Sequence, residues 1–181
     1  MNYQDTIFNK ETLAEVLGYF KLKKVKRNSI LLHEGEICKS FYYVQKGCIR
    51  NYFIDKRGYE KTRAITLEGN VGTGLSSFIG EQPSTEFIDT LEDSELLMIS
   101  RHDFFHLTST RDNWKQLYQN FLEKAYLNQS RKIEALMTLN AQQRFQKLLH
   151  GNPLLIQRLS NKVLASFLDM REETLSRIKS Q

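Results

Sequence analysis

The hydrophobic positions of this chain change texture twice along its length. From Asn9 to Phe20, Leu13, Val16, Leu17 and Phe20 recur at helix spacing, so a helix is expected there. Lys21 to Arg27 reads K-L-K-K-V-K-R, five basic residues in seven. It is expected to be a strand with a solvated basic face and with Leu22 and Val25 turned inward. From Ser29 to Ser100, short apolar or alternating runs are separated by turn signals. Ile30-Leu31-Leu32 precedes Glu34-Gly35-Glu36, Phe41 to Val44 precedes Lys46-Gly47, and Ile49 to Ile54 precedes Asp55-Lys56-Arg57-Gly58. Ala64 to Leu67 precedes Glu68-Gly69-Asn70, and Glu95 to Ile99 closes the series. Short strands punctuated by glycine turns predict an antiparallel sandwich or jelly roll.

After Arg101 the pattern becomes helical. A short helix is expected over Arg101 to Leu107 and a long one over Arg111 to Thr138. In the long helix Trp114, Leu117, Tyr118, Phe121, Leu122, Ala125, Ile133, Leu136 and Met137 recur at three- and four-residue steps. That stripe is longer than a small roll can cover, so a second copy of the chain is its expected cover, through a coiled-coil-like seam. Ala141 to Leu149 is a further helix, stopped by His150-Gly151-Asn152-Pro153.

The run from Ser160 to Gln181 reads as a helix-turn-helix. Ser160 is placed to cap the first helix. Val163, Leu164, Phe167 and Leu168 lie on one face, Asp169-Met170-Arg171 breaks it, and Glu172 to Lys179 forms a second helix with Leu175 and Ile178 inward. Glu172, Glu173, Thr174, Ser176 and Arg177 then face outward. These residue types can reach base edges and phosphates in a major groove, although an ordinary amphipathic hairpin has the same spacing.

Composition narrows the classes. The chain has 181 residues and a formal net charge of +5, with an isoelectric point near 9.1. A modest basic excess is compatible with nucleic acid without demanding it. No apolar run approaches the roughly 18 residues of a membrane span, and the N-terminus lacks the pattern of a secretory signal. Two cysteines, Cys38 and Cys48, fit a reduced cytoplasmic protein better than a disulfide scaffold, and both are expected to be buried small hydrophobes.

Several segments together resemble the Crp/Fnr family of bacterial transcription regulators, relatives of the cyclic-AMP receptor protein. They are I-L-L-H-E-G-E (30–36), F-Y-Y-V-Q-K-G-C-I-R (41–50), E-D-S-E-L-L-M-I-S (92–100) and L-A-S-F-L-D-M-R-E-E-T-L-S-R-I (164–178). The resemblance implies an α+β chain in three parts. Residues 1–108 form an eight-strand β-roll sensor like a cyclic-nucleotide-binding domain, 109–138 a long dimerisation helix, and 139–181 a helix-turn-helix DNA-binding domain. It also implies a homodimer on a palindromic operator in double-stranded DNA, with RNA polymerase as a further partner, and no enzyme activity. By position, Glu172, Glu173 and Arg177 match the places from which the family reads base pairs. Arg177 can donate a bidentate pair to guanine, and Glu173 can accept from cytosine. Thr174 and Ser176 can meet phosphate or support the helix start, and Lys162 and Lys179 are expected at phosphates.

Three departures from the family's reading unit stand out. Asp169 replaces the usual turn glycine at a position tending to positive φ, which Asp tolerates. Arg171 replaces the usual Ser or Thr cap, at a cost of ~1 kcal/mol, partly offset by Glu172 and Glu173 at the helix start. The chain ends close behind the second helix, so any wing is expected to be absent or very short.

The nucleotide cassette departs further. Family members that bind cyclic nucleotides carry Gly-Glu-Leu and, downstream, Arg followed by Ser or Thr. The matching stretch here is V-G-T-G-L-S-S-F-I-G-E-Q-P-S-T-E-F (71–87), with Gly74 in the glutamate's place and Ser84 in the arginine's. Each lost charge-assisted contact is worth ~1.5–3 kcal/mol, so cyclic AMP is not expected as the effector. Thr73, Gly74, Leu75, Ser76, Ser77, Ser84 and Thr85 remain as candidate lining for another small molecule, or for a vestigial site.

Other chemistries have little support. Two cysteines cannot hold the iron–sulfur cluster of the family's oxygen sensors. His102 and His106 stand four apart on a helix but lack a third ligand, and solvent-facing histidines are expected. A cupin-like enzyme needs an H-x-H metal cluster and His33 stands alone in the roll, which leaves that reading a distant third, and no nucleophile or phosphate-loop signature is present. The leading alternative to a DNA-binding regulator is a ligand-binding or scaffold protein with a degenerate helix-turn-helix.

Overall fold

The computed structural model describes residues 17–180. The helix expected over Asn9 to Phe20 therefore falls largely outside the described residues, which open on a 3₁₀ turn at Leu17–Tyr19.

Eight strands follow: β1 (Lys21–Val25), β2 (Ile30–Leu32), β3 (Ser40–Lys46), β4 (Cys48–Ile54), β5 (Glu60–Leu67), β6 (Val71–Gly72), β7 (Phe87–Thr90) and β8 (Ser94–Ser100). They pair antiparallel as two four-stranded sheets, in the orders β1-β8-β3-β6 and β2-β7-β4-β5. This is the jelly roll that the alternating runs predict. A short helix, α1 (Leu75–Gly80), lies between β6 and β7.

Strand alternation assigns the two faces of the second sheet. Ile49 and Ile88 are fully buried in the core between the sheets. Their neighbours Cys48, Arg50 and Asp89 must then point to the outer face, because successive side chains alternate. The inter-sheet core also holds Phe41, Val44, Leu96 and Ile99. One expectation fails at its margin. Leu22 is 53% exposed while Val25 packs against the core, because residues three apart on a strand fall on opposite faces.

The helical part comprises α2 (Arg101–Thr110), α3 (Asp112–Thr138), α4 (Ala141–Gly151), α5 (Pro153–Arg158), α6 (Asn161–Phe167) and α7 (Glu172–Lys179). Ser100 caps α2 by accepting from the Asp103 amide. Asn140 and Gln143 form a reciprocal capping box on α4. The first half of α3 packs on its own roll through the buried Trp114, Leu117 and Phe121, with Phe121 meeting Phe41 edge to face at 5.0 Å. Its second half leaves Tyr126, Ile133 and Met137 exposed at 73%, 50% and 81%.

A second apolar cluster joins the two ends of the chain. Cys48, Ile65 and Leu67 on the roll's outer face pack with Phe145, Leu148, Leu155, Leu159, Val163, Leu164, Ala165, Leu168 and Leu175 from the last four helices. Those helices are thus seated directly on the second sheet. Among the described residues, no helix is long and apolar enough to cross a membrane, and no group of three or more His, Cys, Asp and Glu could hold a metal ion.

Candidate functional site

Helices α6 and α7 form a tight pair. Ser160 accepts from the Val163 amide at 3.3 Å, giving α6 the expected cap. The helix closes through two backbone bonds, Met170 N–H to Ala165 carbonyl at 3.0 Å and Asp169 N–H to Ser166 carbonyl at 3.3 Å. That pattern is a Schellman closure, which needs a left-handed residue at the Asp169 position. Asp169 has φ 50°, so the residue in glycine's place adopts the glycine conformation. The start of α7 lacks a side-chain cap. Glu172 and Glu173 in its first turn, and Arg177 and Lys179 in its last, nevertheless align with the helix dipole.

Leu175 is fully buried against α6, whereas Glu172, Glu173, Ser176, Arg177 and Lys179 are exposed and Thr174 is half-buried. Two open surface grooves run along this outward side. Asn161, Glu172, Glu173, Ser176, Arg177 and Ser180 line one, and Arg171, Glu173, Thr174 and Arg177 the other. Five of the seven residues expected to meet a nucleic acid therefore share one exposed surface. Lys179 is held close by, its ammonium donating to the Asn161 side chain at 2.7 Å.

Lys162 is the exception. Its ammonium faces the roll and pairs with Glu60 at 3.0 Å. Glu60 begins β5, and its other oxygen takes Arg50 at 2.6 Å. Arg50 is 5% exposed. It also pairs through two nitrogens with the buried Asp89 opposite it on β7 and stacks on the Tyr52 ring at 4.1 Å. Although burial disfavours its charge, Glu60 is held below the usual carboxylate range by Arg50 and Lys162.

The neighbouring residues of β5 grip the same helix pair. Lys61 pairs with Asp169 at 2.6 Å. The Ser166 hydroxyl donates to the Glu60 carbonyl and accepts from the Thr62 amide, both at 2.8 Å, and also meets the Thr62 hydroxyl at 2.8 Å. Arg144 on α4 secures the turn by donating to the carbonyls of Leu168 at 2.8 Å, Asp169 at 3.1 Å and Leu139 at 2.7 Å. At the far end of the docked surface, Arg158 on α5 pairs with Glu68 at 2.8 Å and Glu92 at 2.7 Å.

The long helix enters this junction through Lys132. Its ammonium donates to the carbonyls of Thr62 at 2.6 Å and Arg63 at 2.9 Å and lies 4.4 Å above the Phe167 ring. Burial, and then the nearby Arg63, lower its pKa to about 8. None of these inter-element contacts was legible in the sequence. Their members lie 5 to 108 positions apart, and no periodicity marks them.

The cassette residues bond to one another and to the strands around them. A side chain at Gly74 would bring its Cβ to 2.8 Å from Leu32 and 3.4 Å from Cys38, so the glutamate's place is filled by packing. The Thr73 hydroxyl donates to the Ser40 carbonyl at 2.9 Å, and the Asn51 side chain donates to the Thr73 carbonyl at 3.1 Å. The Cys38 amide donates to Ser77 at 2.9 Å. Ser84 bonds both the amide and the carbonyl of Glu86. Leu75 is half-buried, whereas Ser76 and Thr85 face solvent. Of the seven candidate residues, Thr73, Gly74 and Ser77 gather around Cys38. The Glu86 carboxylate forms a two-point pair with Arg63 at 2.6 and 2.9 Å, a charged contact beside the cassette that the sequence reading did not single out. Cys38 and Cys48 are buried and free, as expected, and burial pushes the Cys48 thiol up to about 12. His102 and His106 are exposed.

Residues 22–111 match the model of the cyclic nucleotide-binding domain family. Over nearly the whole chain the fold is similar to those of solved Crp/Fnr-type regulators. The c-di-GMP responsive global regulator CLP of Xanthomonas campestris superposes with a TM-score of 0.77 at 20% identity, over 94% of this chain and 89% of that one. FixK2 of Bradyrhizobium japonicum gives 0.78 at 15% identity, over 90% and 83%. The catabolite activator protein of Thermus thermophilus gives 0.61 at 22%, over 96% and 83%. No curated protein matches the chain by sequence.

Proposed function

We propose that this protein is a DNA-binding transcription regulator of the Crp/Fnr type, with α6 and α7 as its reading head. One observation carries the reading. Helix α7 buries Leu175 and turns Glu173, Ser176 and Arg177 outward along an open groove, while the turn before it takes the Schellman geometry despite lacking glycine. Arg177 is assigned to guanine readout and Glu173 to cytosine. Glu172 stands with them at the base pairs, and Thr174, Ser176 and Lys179 support docking at phosphates or at the start of the helix. The domain division expected from the sequence is retained: roll to 108, long helix 109–138, reading head from 139.

The second half of α3 supports a homodimer. Tyr126, Ile133 and Met137 expose an apolar stripe at seven- and four-residue steps, the spacing of a coiled-coil seam. A two-fold dimer presents two reading heads, and so a palindromic site.

The filled position at Gly74 and the self-bonded Ser84 support a roll that does not respond to cyclic AMP. The similar regulator from Xanthomonas campestris is described as c-di-GMP responsive, which makes another small effector a reasonable subject for screening. The test of the main reading is selection of a bound duplex from a random pool at fixed salt, followed by a mobility shift with Arg177→Ala. Specific binding is expected to fall by 1–3 kcal/mol. Weak, sequence-independent association of the wild type would instead favour a ligand-binding or scaffold role.

A further inference from the structure

We infer that Glu60 of the roll is an internal competitor for the DNA backbone at Lys162, so that the roll restrains the phosphate grip of its own reading head. The inference rests on the DNA-binding reading above. Lys162 follows Asn161, which lines the groove beside Glu173 and Arg177, so its backbone stands where a duplex would lie. Its ammonium nevertheless points away and meets the Glu60 carboxylate at 3.0 Å.

Three consecutive residues of β5 keep it there. Glu60 offers its carbonyl and Thr62 its amide and hydroxyl to Ser166, one turn along α6, and Lys61 takes Asp169 at the turn. These bonds fix α6 in rotation and height, placing Lys162 opposite Glu60. Glu60 is itself anchored from behind by the buried Arg50, so its carboxylate cannot swing aside. A duplex phosphate approaching Lys162 would have to displace a carboxylate and would meet its negative charge. With Lys162 63% exposed at its side chain, the pair is weak and reversible, a restraint rather than a lock.

The test compares wild type, Glu60→Gln, Lys162→Met and the double variant on one 30-base-pair duplex across a salt series. Glu60→Gln keeps an oxygen for Arg50, which also retains Asp89. The expected result is roughly two- to five-fold tighter binding by Glu60→Gln, with a log–log salt slope steeper by about one phosphate contact. Lys162→Met is expected to leave wild-type affinity nearly unchanged and to abolish the gain in the double variant. Unchanged or weaker binding by Glu60→Gln overturns the inference. So does a gain that survives Lys162→Met, or a clear loss of affinity in Lys162→Met alone, which needs no Glu60 variant to fold. If neither wild type nor Glu60→Gln binds any duplex at low salt, the DNA-binding reading falls and this inference with it. Failure of the inference alone leaves wild-type binding intact.

Discussion

The ammonium of Lys132 donates to the carbonyl oxygen of Thr62 over 2.6 Å, joining the long helix to the strand that also holds α6 and α7. Because Thr62 binds Ser166 through its amide and hydroxyl, one residue of β5 meets both helical parts of the chain. Arg63, next along, adds the contact to Glu86. The cassette side of the roll, the long helix and the α6–α7 pair thus converge on two adjacent residues.

The first prediction concerns pH. The pKa of Lys132 is lowered from 10.5 to about 8, first by burial. Between those values the unfolded chain binds more protons than the folded one, so this group makes stability rise with pH. Lys132→Met removes the titration. Denaturant unfolding from pH 7 to 10 is expected to show wild type gaining on Lys132→Met by up to about 3 kcal/mol. A difference independent of pH would refute the buried-charge account.

Arg50 and Asp89 are both buried, and Arg50→Met leaves Asp89 without its two-point partner. Removing one partner of a buried pair typically costs about 3–5 kcal/mol. Urea melts should show a loss of that order. Arg50→Met together with Asp89→Leu should recover much of it, since no charge is then left unpaired.

Restoring a glutamate at Gly74 should not restore nucleotide binding. The added Cβ meets Leu32 at 2.8 Å in a buried site, and overpacking costs about 1–3 kcal/mol. Gly74→Glu with Ser84→Arg is expected to lower the melting temperature and to give no heat with cyclic AMP in titration calorimetry. A bound nucleotide would show that the site can open.

At the turn between α6 and α7, Asp169→Val is expected to destabilise more than Asp169→Gly. A β-branched residue fits φ 50° poorly, whereas glycine adopts it freely and loses only the exposed pair to Lys61, worth about 0–1 kcal/mol. Thermal unfolding of the two variants should differ by several degrees.

Sedimentation should report the stripe on α3. Ile133→Glu with Met137→Glu places charge on exposed positions, so the folded chain is expected to keep its melting temperature at low concentration while its mass falls from dimer to monomer. An unchanged mass would assign the seam elsewhere.

Much of this protein follows from local pattern. Alternation and glycine turns mark out most of the roll, and three- to four-residue spacing marks α3, which begins at Asp112 against an expected Arg111. Ser160 and the break at 169–171 define the two short helices. These features depend on residues close in the chain, whose backbone preferences and burial act together. The strand Phe87–Thr90, the helix Leu75–Gly80 and the helix Pro153–Arg158 are four to six residues long, too short for either period to show.

The resemblance pointed to candidate residues in the cassette and in α7, but only the fold showed their surroundings. Gly74 packs against Leu32, which is 42 positions away, and Lys162 pairs with Glu60, 102 positions away. Sequence determined which elements form and which face of each is apolar, because those are properties of neighbouring residues. Tertiary structure decided which charges meet, because an ion pair depends on the distance in space that docking the last four helices on β5 creates.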